Sequence, residues 1–145
     1  LLVLSRQNLD VTERSSMEDV AKGAYVSYET NKEFGRIIIA TGSEVSLAVG
    51  AAKELEKGGE SVRVVSMPSM ELFERQSCEY KESILPKGVR NRVSLEMGST
   101  FGWHKYVGMD GLAIGIDTFG ASAPAGKVIE EYGFTVEKIV KKIKG

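Results

Sequence analysis

The 145 residues and 15.8 kDa suit a single domain, and 42% hydrophobic with 27% charged residues is ordinary for a folded chain and too apolar for disorder. Nineteen Lys and Arg against twenty Asp and Glu leave a net charge of -1, which excludes nucleic-acid binding driven by bulk charge. One cysteine, Cys78, and one histidine, His104, exclude an intrachain disulfide and a Cys/His zinc site. No apolar run approaches the ~20 residues that span a bilayer, and the start lacks the regions of a signal peptide. These features predict a cytoplasmic domain with no membrane and no nucleic-acid partner.

The chain opens on Leu1-Leu2-Val3-Leu4, the pattern of a buried strand. A buried strand with nothing before it predicts a fragment of a longer polypeptide; an edge strand of the domain's own sheet is the alternative. Residues 5–19 are polar and read as a linker, with a short helix near its end capped by Ser15 or Ser16. Residues 23–28 are aromatic and β-branched enough for a strand.

From there β and α patterns alternate. The apolar run 36–40 predicts a central strand buried on both faces. Thr41-Gly42-Ser43 is a turn with Ser43 as N-cap. Val45, Ala48, Val49, Ala52 and Leu55 follow helical spacing over 44–57, closed by Gly58-Gly59. Residues 62–67 predict the next strand, stopped by Pro68. Ser69 caps a short helix through Phe73, and 80–85 form another helical turn. Residues 92–97 read as a strand, 103–107 as a short helix and 112–116 as a buried strand. Residues 126–132 read as a helix closed by Gly133. Thr135 caps a last amphipathic helix with Val136, Ile139, Val140 and Ile143 on one face and lysines at its end. The fold class is α/β: an open, mainly parallel four- or five-stranded sheet with helices on both faces and room for one antiparallel strand.

Nucleotide signatures are absent: there is no Gly-x4-Gly-Lys-Ser/Thr and no Gly-x-Gly-x-x-Gly. The turn 41–44 places backbone N–H groups at a helix start, where an anion could bind, but Glu44 puts negative charge in the same place. His104 has no nucleophile elbow to serve, and Cys78 lies in an acidic setting that would not activate a thiol. Carboxylates at converging spacing are absent, so the sequence offers no catalytic, cofactor-binding or metal-binding set. The lysines of the last helix read as a solvated face. Residues 119–125 (FGASAPA) are small and apolar and fit either a domain interface or a tightly packed loop of one core. Arg6 follows an apolar strand at its carboxyl end, where α/β proteins place ligand contacts, and its guanidinium suits bidentate phosphate or carboxylate recognition.

Eight segments in series then carry a resemblance. They are Ser5-Arg6-Gln7-Asn8-Leu9, Ala21-Lys22-Gly23-Ala24-Tyr25-Val26, Ala40-Thr41-Gly42-Ser43-Glu44-Val45 and Val62-Arg63-Val64-Val65-Ser66-Met67-Pro68. After them come residues 80–86, Gly102-Trp103 with Lys105-Tyr106-Val107-Gly108, residues 119–125, and Tyr132-Gly133-Phe134-Thr135-Val136. Together they span nearly the whole chain, and in this order they resemble the C-terminal part of transketolase.

The resemblance implies that residues 1–19 are the last strand of a preceding pyrimidine-binding domain plus a linker, and residues 20–145 a transketolase C-terminal domain. In the intact enzyme it implies a homodimer with thiamine diphosphate and a divalent cation (Mg or Ca). That enzyme moves a two-carbon ketol unit from a ketose phosphate to an aldose phosphate in the pentose phosphate pathway. It implies that Arg6 contacts the phosphate of the sugar phosphate. No other site residue carries over, and Met109-Asp110-Gly111 is only an echo of the family's Gly-Asp-Gly segment. The position after Leu9, often proline in the family, is Asp10. The fragment alone is expected to be noncatalytic and to bind no cofactor. The alternative is a regulatory or assembly module with the 41–44 turn as its pocket, free-standing or from a related thiamine-diphosphate enzyme.

Overall fold

The computed structural model describes residues 8–9, 16–31 and 33–145. Arg6, Leu1 to Leu4 and Ser15 lie outside the described residues, so the opening-strand expectation, the Arg6 assignment and the 1–19 division are not addressed by it.

The chain begins with α1 (Met17–Ala21), capped by Ser16, whose hydroxyl accepts from Asp19 N. It continues through β1 (Tyr25–Glu29), β2 (Arg36–Ala40), α2 (Glu44–Lys57) and β3 (Val62–Ser66). Two short helices follow, α3 (Met70–Glu74) and α4 (Cys78–Ile84), then β4 (Arg92–Leu95), α5 (His104–Val107) and β5 (Leu112–Ile114). The last elements are α6 (Ala125–Glu131) and α7 (Val136–Lys144). The five strands lie in the order β1-β3-β2-β4-β5. Only β1 runs antiparallel, against β3; the other pairings are parallel.

The apolar runs explain which strands are central. Ile37, Ile38 and Ile39 of β2 are fully buried, because β2 has a strand on each side and helices on each face. On one face Ile38, Val64 and Val93 pack against α2 and α7 through Leu55, Ile139 and Phe134. On the other, Ile37, Ile39 and Val65 pack against Phe73, Ile84, Trp103 and Tyr106 of α3 to α5 and their approaches. Helices therefore cover both faces, as the alternating pattern predicts. The apolar stripe of α7 and its Thr135 cap also hold, with the Thr135 hydroxyl accepting from Lys138 N.

Three expectations need correction. Ser43 stands at the N-cap position but does not cap the helix with its side chain: its φ and ψ are already helical (-65°, -25°), and its hydroxyl makes no cap bond. The helix is opened instead by a tight turn in which Glu44 N and Val45 N donate to Thr41 O and Gly42 O. β5 is not a buried strand. It pairs only with β4 and ends the sheet, so Leu112 is exposed. Of the two readings left open for the loop 119–125, the tightly packed loop of one core is not met, since every one of its residues is exposed.

Arg92, which opens β4, ties the segments that flank the sheet. Its guanidinium donates to Val89 O (2.8 Å), Pro86 O (2.8 Å), Leu85 O (3.1 Å) and Tyr106 O (2.9 Å). The α4–β4 connection and the end of α5 are thereby held by one side chain, whose own basicity is lowered by burial.

Gly23 is fixed by its surroundings. Its φ is +86°, and a Cβ there would collide with Phe73 N and Ser69 O and lie 2.8 Å from Leu72 Cβ. Gly59 has the same φ with nothing within 4 Å. Gly59→Ala should therefore cost only the left-handed strain of about 1–2 kcal/mol. Gly23→Ala should cost clearly more, or prevent folding. Urea unfolding of the two variants checks this, and equal costs would contradict the packing around Gly23.

Candidate functional site

In an open α/β sheet the place to look is the carboxyl edge where the strand order reverses. Here β2 leads through α2 to β3 on one side, while β4 lies on the other side of β2 and leads on to β5. The crevice is therefore between the ends of β2 and β4. Glu44, the first residue of α2, occupies it and is only 5% exposed. One carboxylate oxygen accepts from Met97 N, just past β4, at 3.0 Å; the other accepts from the Ser43 hydroxyl. The chain's own carboxylate thus sits where an anionic ligand would meet the helix N-terminus. This corrects the reading of the 41–44 turn as an anion pocket, since the position is filled from within.

Beside this turn lies a cleft of about 250 Å³ lined by Leu9, Val20, Tyr25, Gly42, Ser46 and Pro68, among others. Leu9 stands three residues after Arg6.

The loops after β4 and β5 meet at the same edge. Asp117 accepts from Thr100 N (2.8 Å), the Thr100 hydroxyl (2.8 Å) and the Ser99 hydroxyl (3.0 Å). These donors, the Thr100 amide first, hold the Asp117 carboxyl below the usual carboxylate range. Glu96 accepts from the indole N–H of Trp103 at 2.6 Å. Tyr132 donates to Phe119 O at 2.9 Å. Neither Asp117, Glu96 nor Arg92 carries a motif that would have singled it out in the sequence.

The other candidates are not brought together. His104 is exposed on α5 and Cys78 is exposed at the start of α4. Asp110 pairs with Arg90 rather than with a metal-binding set. A basic depression on the far side of the sheet includes Lys87, Arg90, Arg92 and Lys105, but Arg92 serves backbone carbonyls and Lys105 binds Glu74 at 3.0 Å. Lys81 approaches the same Glu74 at 3.6 Å.

This geometry defines an α/β unit whose switch-point crevice is closed by its own side chain and whose carboxyl edge carries structured loops. Comparison with known proteins places it more narrowly. Residues 23–135 match the family model described as Transketolase-like TK C-terminal domain, and the chain belongs to that family. It is 61% identical over 143 residues to a probable transketolase of Streptococcus pneumoniae, covering 99% of this chain and 22% of the relative. The transketolase structure from Leishmania mexicana matches with a TM-score of 0.87 and 45% identity, over 96% of this chain and 20% of that one. A Pichia stipitis transketolase in complex with sedoheptulose-7-phosphate matches with a TM-score of 0.88 and 44% identity, again over 96% and 20%. The chain spans about a fifth of the length of the relatives it matches.

Thiamine diphosphate and a divalent cation, which the family implies, do not fit the described residues. The α2 N-terminus already holds the Glu44 carboxylate. Among the described residues, no group of three or more His, Cys, Asp or Glu could hold a metal ion. No helix among them is long and apolar enough to cross a membrane.

Two outcomes follow. Glu44→Ala leaves the Met97 amide without its acceptor and should cost about 1–3 kcal/mol, whereas Glu44→Gln keeps an acceptor and should cost less; urea unfolding distinguishes them. Glu74 is held below the usual carboxylate range, chiefly by its hydrogen bond from Lys105. A depressed carboxyl stabilises the fold at neutral pH and loses that contribution as pH falls through its folded pKa. Glu74→Gln should therefore lower the melting temperature at neutral pH, with the difference closing in acid.

Proposed function

We infer that this chain is the C-terminal domain of a transketolase, an enzyme that transfers a two-carbon ketol unit from a ketose phosphate to an aldose phosphate. The observation that carries the reading is the family match over residues 23–135, supported by a relative 61% identical over nearly the whole chain. In this reading the intact protein is a cytoplasmic homodimer, and thiamine diphosphate with its divalent cation supplies the carbanion chemistry outside this domain. Residues 1–19 are the last strand of the preceding pyrimidine-binding domain and the linker; residues 20–145 are the C-terminal domain.

The role of this chain's own residues is to position substrate. Arg6 holds the phosphate of the sugar phosphate through its planar fork, while bonds are made and broken elsewhere. Leu9, three residues after Arg6 in the sequence, lines the cleft at the carboxyl ends of β2 and β3 and supports this role. The domain alone is noncatalytic. The Glu44 carboxylate in the switch crevice weighs against the regulatory-pocket alternative.

Arg6→Leu in the full-length protein tests the assignment. A charged hydrogen bond worth about 1.5–3 kcal/mol corresponds to a rise of roughly ten- to a hundredfold in KM for phosphorylated sugars. The kcat and the KM for non-phosphorylated sugars should change little. Equal losses on both substrate classes would contradict phosphate recognition by Arg6.

A further inference from the structure

Positive charge gathers at one place in a chain whose net charge is -1. Arg92 opens β4, Lys87 and Arg90 lie on the connection before it, and Lys105 lies on α5. These four line a depression of about 260 Å³ between the α4–β4 and α5–β5 connections. A second hollow of about 310 Å³ shares Lys87, Arg92 and Lys105 with it and adds Lys81. The carboxylates among these five cations are Glu74, Glu82 and Asp110. The concavity therefore keeps an excess of positive charge, and a concave wall of one sign concentrates counter-ions.

What each cation already holds decides what an anion could use. Lys105 and Lys81 are drawn to Glu74, at 3.0 and 3.6 Å. Arg90 pairs with Asp110, but the two side chains are 76% and 60% exposed, and so exposed a pair is held weakly. Its guanidinium can exchange Asp110 for a ligand at little cost. Lys87 is exposed, and its ammonium pairs with no carboxylate among the described residues; Glu82 accepts from its backbone amide at 2.9 Å. Arg92 is the least ordinary member. A guanidinium carries about five N–H donors. Four bonds run to the carbonyls of Val89, Tyr106, Leu85 and Pro86, one N–H on Nη1 is left without an acceptor among the described residues, and no carboxylate among them pairs with it. Burial lowers its basicity, so carbonyl dipoles compensate the charge only in part. An anion in the depression supplies the missing countercharge. Because Arg92 fastens both connections, the cations stand around the hollow on a braced wall.

We propose that Lys87, Arg90 and Arg92 form a binding site for a phosphate group, taken as the free ion or as the end of a small phosphomonoester. The Arg90 fork suits two phosphate oxygens, Lys87 adds a point charge, and Arg92 supplies the uncompensated charge. The site lies at the amino ends of β4 and β5, the opposite edge of the sheet from Glu44, and it does not rest on the role assigned to Arg6.

The test is competitive acetylation of the full-length protein with trace acetic anhydride, read peptide by peptide by mass spectrometry, with inorganic phosphate or glycerol 3-phosphate as the probe. At about four times its Kd the bound anion should slow labelling of Lys87 roughly fivefold, since only the unoccupied fraction reacts. Lys53, on α2 across the sheet, should label at an unchanged rate, and sodium chloride at matched ionic strength should not protect Lys87. Arg90→Glu should abolish the protection, and Arg90→Lys should keep part of it. The Arg90 side chain is exposed, so neither change removes a core contact, and unchanged labelling of Lys53 reports that the fold is kept. Protection at a lower concentration of glycerol 3-phosphate than of inorganic phosphate assigns the ester; the reverse order assigns the free ion. Equal Lys87 rates with and without both probes, protection that sodium chloride reproduces, or protection that survives Arg90→Glu would overturn the site.

Discussion

A carboxylate buried at the junction of two loops decides what kind of unit this is. Glu44 begins α2 at the end of β2 and accepts the Met97 amide past the end of β4. In comparable sheets the crevice between such strands is where a ligand's anionic group meets the helix N-terminus. Here the anion is covalently part of the chain. The hydrogen bond satisfies an amide just past β4, the helix N-terminus is neutralised from within, and the two strand ends cannot part to admit a ligand without breaking the contact. The domain is a closed platform.

The features that carry function then lie around the edge of that platform. Leu9 lines the cleft beside the 41–44 turn. Asp117 and Tyr132 stiffen the loops after β4 and β5, and Arg92 gathers four carbonyls near the opposite ends of the strands. A rigid body with one structured edge suits a part that holds another part in place. That agrees with membership of the transketolase C-terminal family and with a match confined to about a fifth of each relative.

Much of the fold was legible because local and tertiary preferences agree. The run of three isoleucines at 37–39 is β-branched, short and continuous, and its strand is buried on both faces. Ser69 and Thr135 precede apolar residues at helical spacing and cap α3 and α7. The failures have identifiable causes. Ser43 has the residue type of a cap, but the turn bonds from Glu44 and Val45 to Thr41 and Gly42 already draw it into the helix. Residues 112–116 are as apolar as a central strand, and only the strand order makes β5 an edge. The apolar loop 119–125 gave no indication of which surface it serves. Glu44 was read as an obstacle to an anion, but its bond to Met97 joins residues 53 apart and has no local signature. Arg6 was legible as a candidate from its place after an apolar run, and its role came from the family resemblance.

The most direct measurement of the central claim is calorimetric titration of thiamine diphosphate with magnesium into the purified 145-residue chain and, in parallel, into the full-length protein. A domain whose switch crevice is filled by Glu44 should show no binding heat, while the full-length protein binds. Saturable binding to the 145-residue chain alone would contradict the account, because it would place a cofactor site on the platform itself.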